Sequence, residues 1–81
     1  MAEQDPELLA LGRTIRRLRE QTNMTKGELA GAAGLTRGRL AAIEAGRHDP
    51  HLDELMALAE GLNIKPAELV GQADAGAASE A

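Results

Sequence analysis

The stretch TKGELAGAAGLTRGRLAAIEAG, residues 25–46, decides the fold. Thr25 followed by Glu28 has the S/T-x-x-E spacing of a capping box, in which two orphan N–H groups at a helix start are satisfied reciprocally. Gly34 stands where a helix of about two turns needs a left-handed exit. Two residues later Thr36 is placed to cap a second helix, and Gly46 to close it. Two helices joined by so short a link must meet at a sharp angle.

Such a pair is a helix-turn-helix, a common device for seating a helix in the DNA major groove. The flanking sequence supplies a bundle around it. Asp5-Pro6 opens a first helix, with Asp as cap and Pro at the first helical position. Leu8, Leu11, Ile15 and Leu18 recur at helical spacing as its buried stripe. Arg13 and Arg17 fall opposite that stripe, Arg19 beside it and half-buried, and the helix ends near Gln21-Thr22-Asn23. A second helix over about 26–33 buries Leu29, Ala30 and Ala33, and Leu35 plugs the turn. A third over about 37–45 buries Leu40 and Ile43. Arg47-His48-Asp49-Pro50 reads as a loop, because Pro disfavours helix in the residue before it. A fourth helix from Leu52 to Leu62 is expected to bury Leu52, Leu55, Leu58, Ala59 and Leu62, with Asn63 as its stop. Pro66 starts a short last helix carrying Leu69 and Val70. The division expected is a flexible arm over 1–5, one domain over 6–70, and a small-residue, polar, unstructured tail over 71–81.

Composition agrees with an all-α chain. The 81 residues are 43% hydrophobic yet contain no Phe, Trp or Tyr, so the core rests on Leu, Ile, Met and Ala. Ala and Leu favour helix. A core this small gains from dimerisation. The absence of cysteine excludes disulfides and thiolate metal sites. No apolar run approaches the roughly 20 residues of a membrane span, and no leader peptide is visible, so a soluble cytoplasmic protein at the nucleoid is expected.

The net charge of −4 argues against a nucleic-acid partner, but its distribution reverses the argument. Residues 13–47 hold eight of the nine basic side chains against three acidic ones. Residues 48–81 hold Lys65 against seven acids, and residues 1–12 hold Glu3, Asp5 and Glu7. The positive charge is confined to the segment with the helix pair. Phosphates feel the local field, because screening acts over about 8–10 Å.

LGRTIRRLRE at 11–20, MTKGELAGAAGLTRGRLAAIEAGRHDP at 24–50 and LDELMALAEGLNIKPAELV at 52–70 together resemble the Cro and phage-repressor type of domain, also called the xenobiotic-response-element class. The resemblance implies a compact five-helix, lambda-repressor-like bundle with the helix-turn-helix at helices 2 and 3. It implies a DNA-binding transcription regulator, a bacterial or phage repressor among the forms expected, working as a homodimer on a palindromic operator. It also implies a structural salt bridge between Arg19 and Glu44. Three positions depart from the family pattern. Lys26 stands where the family often has a phosphate-binding Gln, Ala42 where it usually has a long polar base reader, and His51 where a Ser or Thr caps the fourth helix.

On the third helix, Leu40 and Ile43 define the inward side, leaving Arg37, Gly38, Ala41, Ala42 and Ala45 outward. Arg37 lies at the N-terminal end, which enters the groove in this motif. An arginine there suits a bidentate pair with guanine O6 and N7, worth about 1–3 kcal/mol of discrimination. Gly38 and Ala41 let the helix seat closely, and an Ala methyl, at 41 or 42, suits a thymine methyl. So sparse a face leaves part of the readout to DNA shape. Lys26, Thr36, Arg39, Arg47 and, at the rim, Arg16 are assigned to phosphates. Ile64, Leu69 and Val70 are the candidate dimer surface, which would set two recognition helices about 34 Å apart.

No catalytic site is expected: there is no Cys, and the single Ser is Ser79. His48, Asp49 and His51 are too few to hold a metal, and no cofactor is implied. The alternative to a DNA regulator is a protein-interaction module, such as an antitoxin or bridging factor, docking a partner protein through its acidic half.

Overall fold

The computed structural model describes residues 5–79. The expected N-terminal arm, apart from Asp5, and residues 80–81 lie outside them. Five helices follow one another: α1 (Pro6–Gln21), α2 (Lys26–Ala33), α3 (Arg37–Glu44), α4 (Leu52–Gly61) and α5 (Pro66–Ser79). The fold is all-α.

Local chemistry sets the helix starts. Asp5 accepts from the Glu7 N–H, and Pro6 opens α1. Thr25 and Glu28 form both halves of the capping box. Thr36 accepts from the Arg39 N–H.

The exits share one device. Asn23, Gly34, Gly46 and Asn63 all take positive φ, between 59° and 76°. After each, the next residue donates its N–H back across the last turn. Met24 reaches the Arg19 carbonyl, Leu35 that of Ala30, Arg47 that of Ala42 and Ile64 that of Ala59, at 2.8–3.0 Å. This is the Schellman closure, which normally comes with an apolar residue folded back on the helix. Met24, Leu35 and Ile64 fill that role and pack against the core. The fourth, Arg47, is exposed.

The core gathers Ile15, Leu29, Ala30, Leu40, Ile43, Leu58, Ala59, Leu62 and Leu69. Leu29 and Ala30 are buried in α2, with Ala33 half-buried, and Leu11 and Leu18 pack partly against the core. Gly12 lets α1 approach the end of α3 so closely that a β-carbon there would run into the carbonyl oxygens of Ile43 and Glu44.

Three expectations need correction. Leu52 is 72% exposed, because it opens α4 and lies beyond the reach of the core that takes Leu58, Ala59 and Leu62. Leu69 is fully buried, so it is a core residue and not surface open to a second copy. The last helix does not end at Val70 but continues through Ser79. Its alanines favour helix, and α1 supplies a surface: Ala73 is buried, Gly76 lies opposite Ala10, and Arg17 Nη2 donates to Gln72 Oε1 at 3.0 Å. Among the described residues no helix is long and apolar enough to cross a membrane.

Candidate nucleic-acid interface

α2 and α3 present their N-terminal ends at one edge of the molecule. Gly27 in the first turn of α2 lies beside the Arg37 stem, where a β-carbon would sit 3.5 Å from Arg37 Cδ. Lys26 and Arg37 are therefore neighbours across the turn, and both are exposed. Arg47 follows the far end of α3 and is also exposed. Its backbone is fixed by the bond to the Ala42 carbonyl, while its side chain occupies the slot that the other three exits give to the core. Among the described residues, Lys26, Arg37 and Arg47 make no ion pair.

The outward face of α3 is shallow. Gly38 is exposed, with open space where a β-carbon would stand. Ala41 and Ala42 are half-buried and Ala45 is exposed. Thr36 is exposed, but its hydroxyl already accepts from the Arg39 N–H at 3.0 Å.

Two ion pairs brace this edge from behind. Arg19 Nε donates to Glu44 Oε2 at 2.7 Å and Nη2 to Oε1 at 3.1 Å, with the side chains only 8% and 4% exposed. Arg19 Nη1 also donates to the Met24 carbonyl at 2.9 Å. The hydrogen bond from Arg19 to Glu44 raises the guanidinium pKa further above its ordinary value, with burial acting against it. α1, its exit and the end of α3 are thereby joined by one side chain.

The second brace joins α3 to the start of α4. Arg39 Nε donates to Glu54 Oε2 at 2.8 Å and Nη2 to Oε1 at 3.1 Å. Glu54 Oε1 also accepts from the His51 N–H at 2.8 Å, forming a capping interaction at the start of α4. The hydrogen bonds from Arg39 and the His51 backbone hold the Glu54 carboxyl down at a pKa of about 2. His48 Nε2 lies 3.7 Å from the same Oε1 and is buried with no hydrogen-bond partner. The Arg39 guanidinium, assigned to phosphate from the sequence, is thus seated on a carboxylate. The i, i+3 spacing of His51 and Glu54 hints at the cap; nothing in the sequence signals the partner 15 residues away.

The remaining assigned residues are dispersed. Arg16 Nε donates to Glu20 Oε2 at 3.3 Å on the exposed side of α1. Ile64 is half-buried and lines an open groove with Met56, Ala57, Glu60, Lys65 and Glu68. Val70 is 39% exposed and borders a different depression, with Leu8, Leu11, Leu55 and Ala73.

A family model described as a helix-turn-helix domain matches residues 10–70. The chain belongs to the helix-turn-helix family. Its type is that of the Cro and phage-repressor DNA-binding domains. The immunity repressor protein of Bacillus phage phi105 is 36% identical over 64 residues, covering 79% of this chain and 44% of the repressor. The helix-turn-helix chain thus spans less than half the length of that relative. An uncharacterized HTH-type transcriptional regulator, y4dJ of Sinorhizobium fredii, is 31% identical over 64 residues, covering 79% of this chain and 83% of its own. Among solved structures, the restriction-modification controller protein C.AhdI from Aeromonas hydrophila superposes with a TM-score of 0.75 at 32% identity, covering 76% of this chain and 94% of that one. The clp gene regulator ClgR from Corynebacterium glutamicum superposes with a TM-score of 0.88 at 26% identity, covering 96% and 83%. This helix-turn-helix domain is therefore of the kind found in transcription regulators.

Proposed function

We propose that this chain is a sequence-specific DNA-binding transcription regulator that acts as a homodimer on a palindromic operator, with α3 in the major groove. The observation that carries the reading is that Lys26 and Arg37 stand exposed side by side where α2 and α3 begin, with Arg47 exposed just past the end of α3, none of them in an ion pair among the described residues. Arg37 reads a base, with Gly38, Ala41 and Ala42 allowing close approach. Lys26 and Arg47 hold phosphates, helped by the N–H groups that open α2. Thr36 adds at most a shared hydroxyl, and Arg16 stands at the rim.

The second copy docks through the groove between α4 and α5 lined by Met56 and Ile64, where Lys65 between Glu60 and Glu68 offers charges of both signs for a two-fold contact. Leu69 has no part in it.

The test is selection of bound duplexes from a random pool at low and at near-physiological salt. The reading expects enrichment of an inverted repeat with half-sites about one helical turn apart. Retention that vanishes as salt rises, with no sequence enriched, would reduce the interaction to phosphate attraction. The protein-interaction alternative would then take its place.

A further inference from the structure

Arg39 and Glu54 offer an inference that rests on the DNA-binding reading but changes its division of labour. Arg39 sits in the first turn of the recognition helix, where a cation would meet the DNA backbone. Its two engaged nitrogens lie 2.8 and 3.1 Å from the two carboxylate oxygens of Glu54. Glu54 cannot swing outward with Arg39, because Oε1 is also tied to the His51 N–H at the start of α4. The carboxylate is 13% exposed and the arginine side chain 35%. A phosphate that takes the Nε–Nη2 edge of Arg39 must break two charge-assisted bonds, and one that reaches its remaining N–H groups meets a guanidinium already neutralised by the adjacent Glu54 carboxylate. Lys26, Arg37 and Arg47 stand under no such restraint.

We infer that Glu54 is a specificity-determining residue that sequesters the charge of Arg39, so that Arg39 positions α3 against α4 and makes no phosphate contact in the complex. An extra phosphate-binding cation would strengthen binding to every sequence alike. Withholding one lowers the non-specific background against which Arg37 discriminates.

The experiment uses the full chain, an operator-containing duplex and a scrambled duplex, and reads log K against log salt for the wild type, Arg39→Gln, Glu54→Gln and the double variant. Each phosphate contact contributes about 0.9 to the slope. Wild type and Arg39→Gln should share one slope. Glu54→Gln frees Arg39 while Gln still accepts from the His51 N–H. Its slope should steepen by about 0.9, with scrambled-duplex affinity rising and the operator preference falling. The double variant should return to the wild-type slope. Circular dichroism confirms that each variant is folded; if Glu54→Gln unfolds, Arg39→Gln decides by itself, an unchanged slope supporting the inference and a slope lower by about 0.9 overturning it. A slope that falls by about 0.9 in Arg39→Gln alone, or that Glu54→Gln leaves unchanged, overturns this inference and leaves the DNA-binding reading intact. Failure of the wild type to bind either duplex overturns both.

Discussion

Arg19 and Glu44 are two charges inside a domain that has few other polar groups in its interior. Buried polar or charged residues are otherwise limited, among the described residues, to Thr14. Replacing Glu44 with Gln leaves the Arg19 guanidinium short of its counter-charge in a place water barely reaches. The expected cost is about 3–5 kcal/mol, a large share of the stability of a small domain. Urea titration of Glu44→Gln should show it. Replacing both residues together, Arg19→Met with Glu44→Leu, should recover most of the loss, because no charge is then stranded. Glu54 behaves differently because its pair lies at the surface edge. Its carboxyl titrates near 2 in the folded protein, against about 4.5 when unperturbed. A depressed folded pKa means that the pair contributes stability above the ordinary value and loses it as pH falls through the folded one. The melting-temperature difference between wild type and Glu54→Gln should therefore be present above about pH 4.5 and close as pH falls toward 2.

Helices and their packing show how close α1 and α3 lie. Gly12 is the point where α1 nearly touches the α3 backbone, and Gly12→Ala must push the two apart. A loss of about 1–3 kcal/mol is expected, read as a lower melting temperature. Gly31 in α2 has open space where a β-carbon would stand, and Gly31→Ala should stabilise by about 0.5–1 kcal/mol through helix propensity alone. The two glycines look alike in the sequence, and only the neighbour separates them. The same contrast runs through the whole fold. The Thr25–Glu28 box, the Thr36 cap and the Gly34, Gly46 and Asn63 exits were legible because each is settled within five residues. Leu69 reads as surface in the sequence yet is buried in the fold, because burial of a short late apolar segment depends on partners distant in the chain. The continuation of α5 through Ser79 was missed for the same reason, since the tail's small residues gain their order from α1. At the DNA edge, Lys26, Arg37 and Arg47 could be named from position and charge. The commitment of Arg39 to Glu54 could not, because it joins two helices across a loop.

The molecule as a whole separates its surfaces. Lys26, Arg37 and Arg47 belong to α2, α3 and the turn after α3, whereas the groove with half-exposed Met56 is lined by α4, α5 and the turn between them. If that groove holds the second copy, Met56→Glu should leave the fold unchanged by circular dichroism. It should shift sedimentation from dimer to monomer, and reduce affinity for a full palindrome far more than for a single half-site. An unchanged sedimentation coefficient would remove the groove from the dimer. The account as a whole turns on α3 reading sequence through Arg37. The most direct test is the base preference of Arg37→Ala across an enriched palindrome at fixed salt. The account predicts that discrimination collapses at one position in each half-site, by about 1–3 kcal/mol, while affinity for an unrelated duplex changes little. A preference identical to that of the wild type at every position would contradict it.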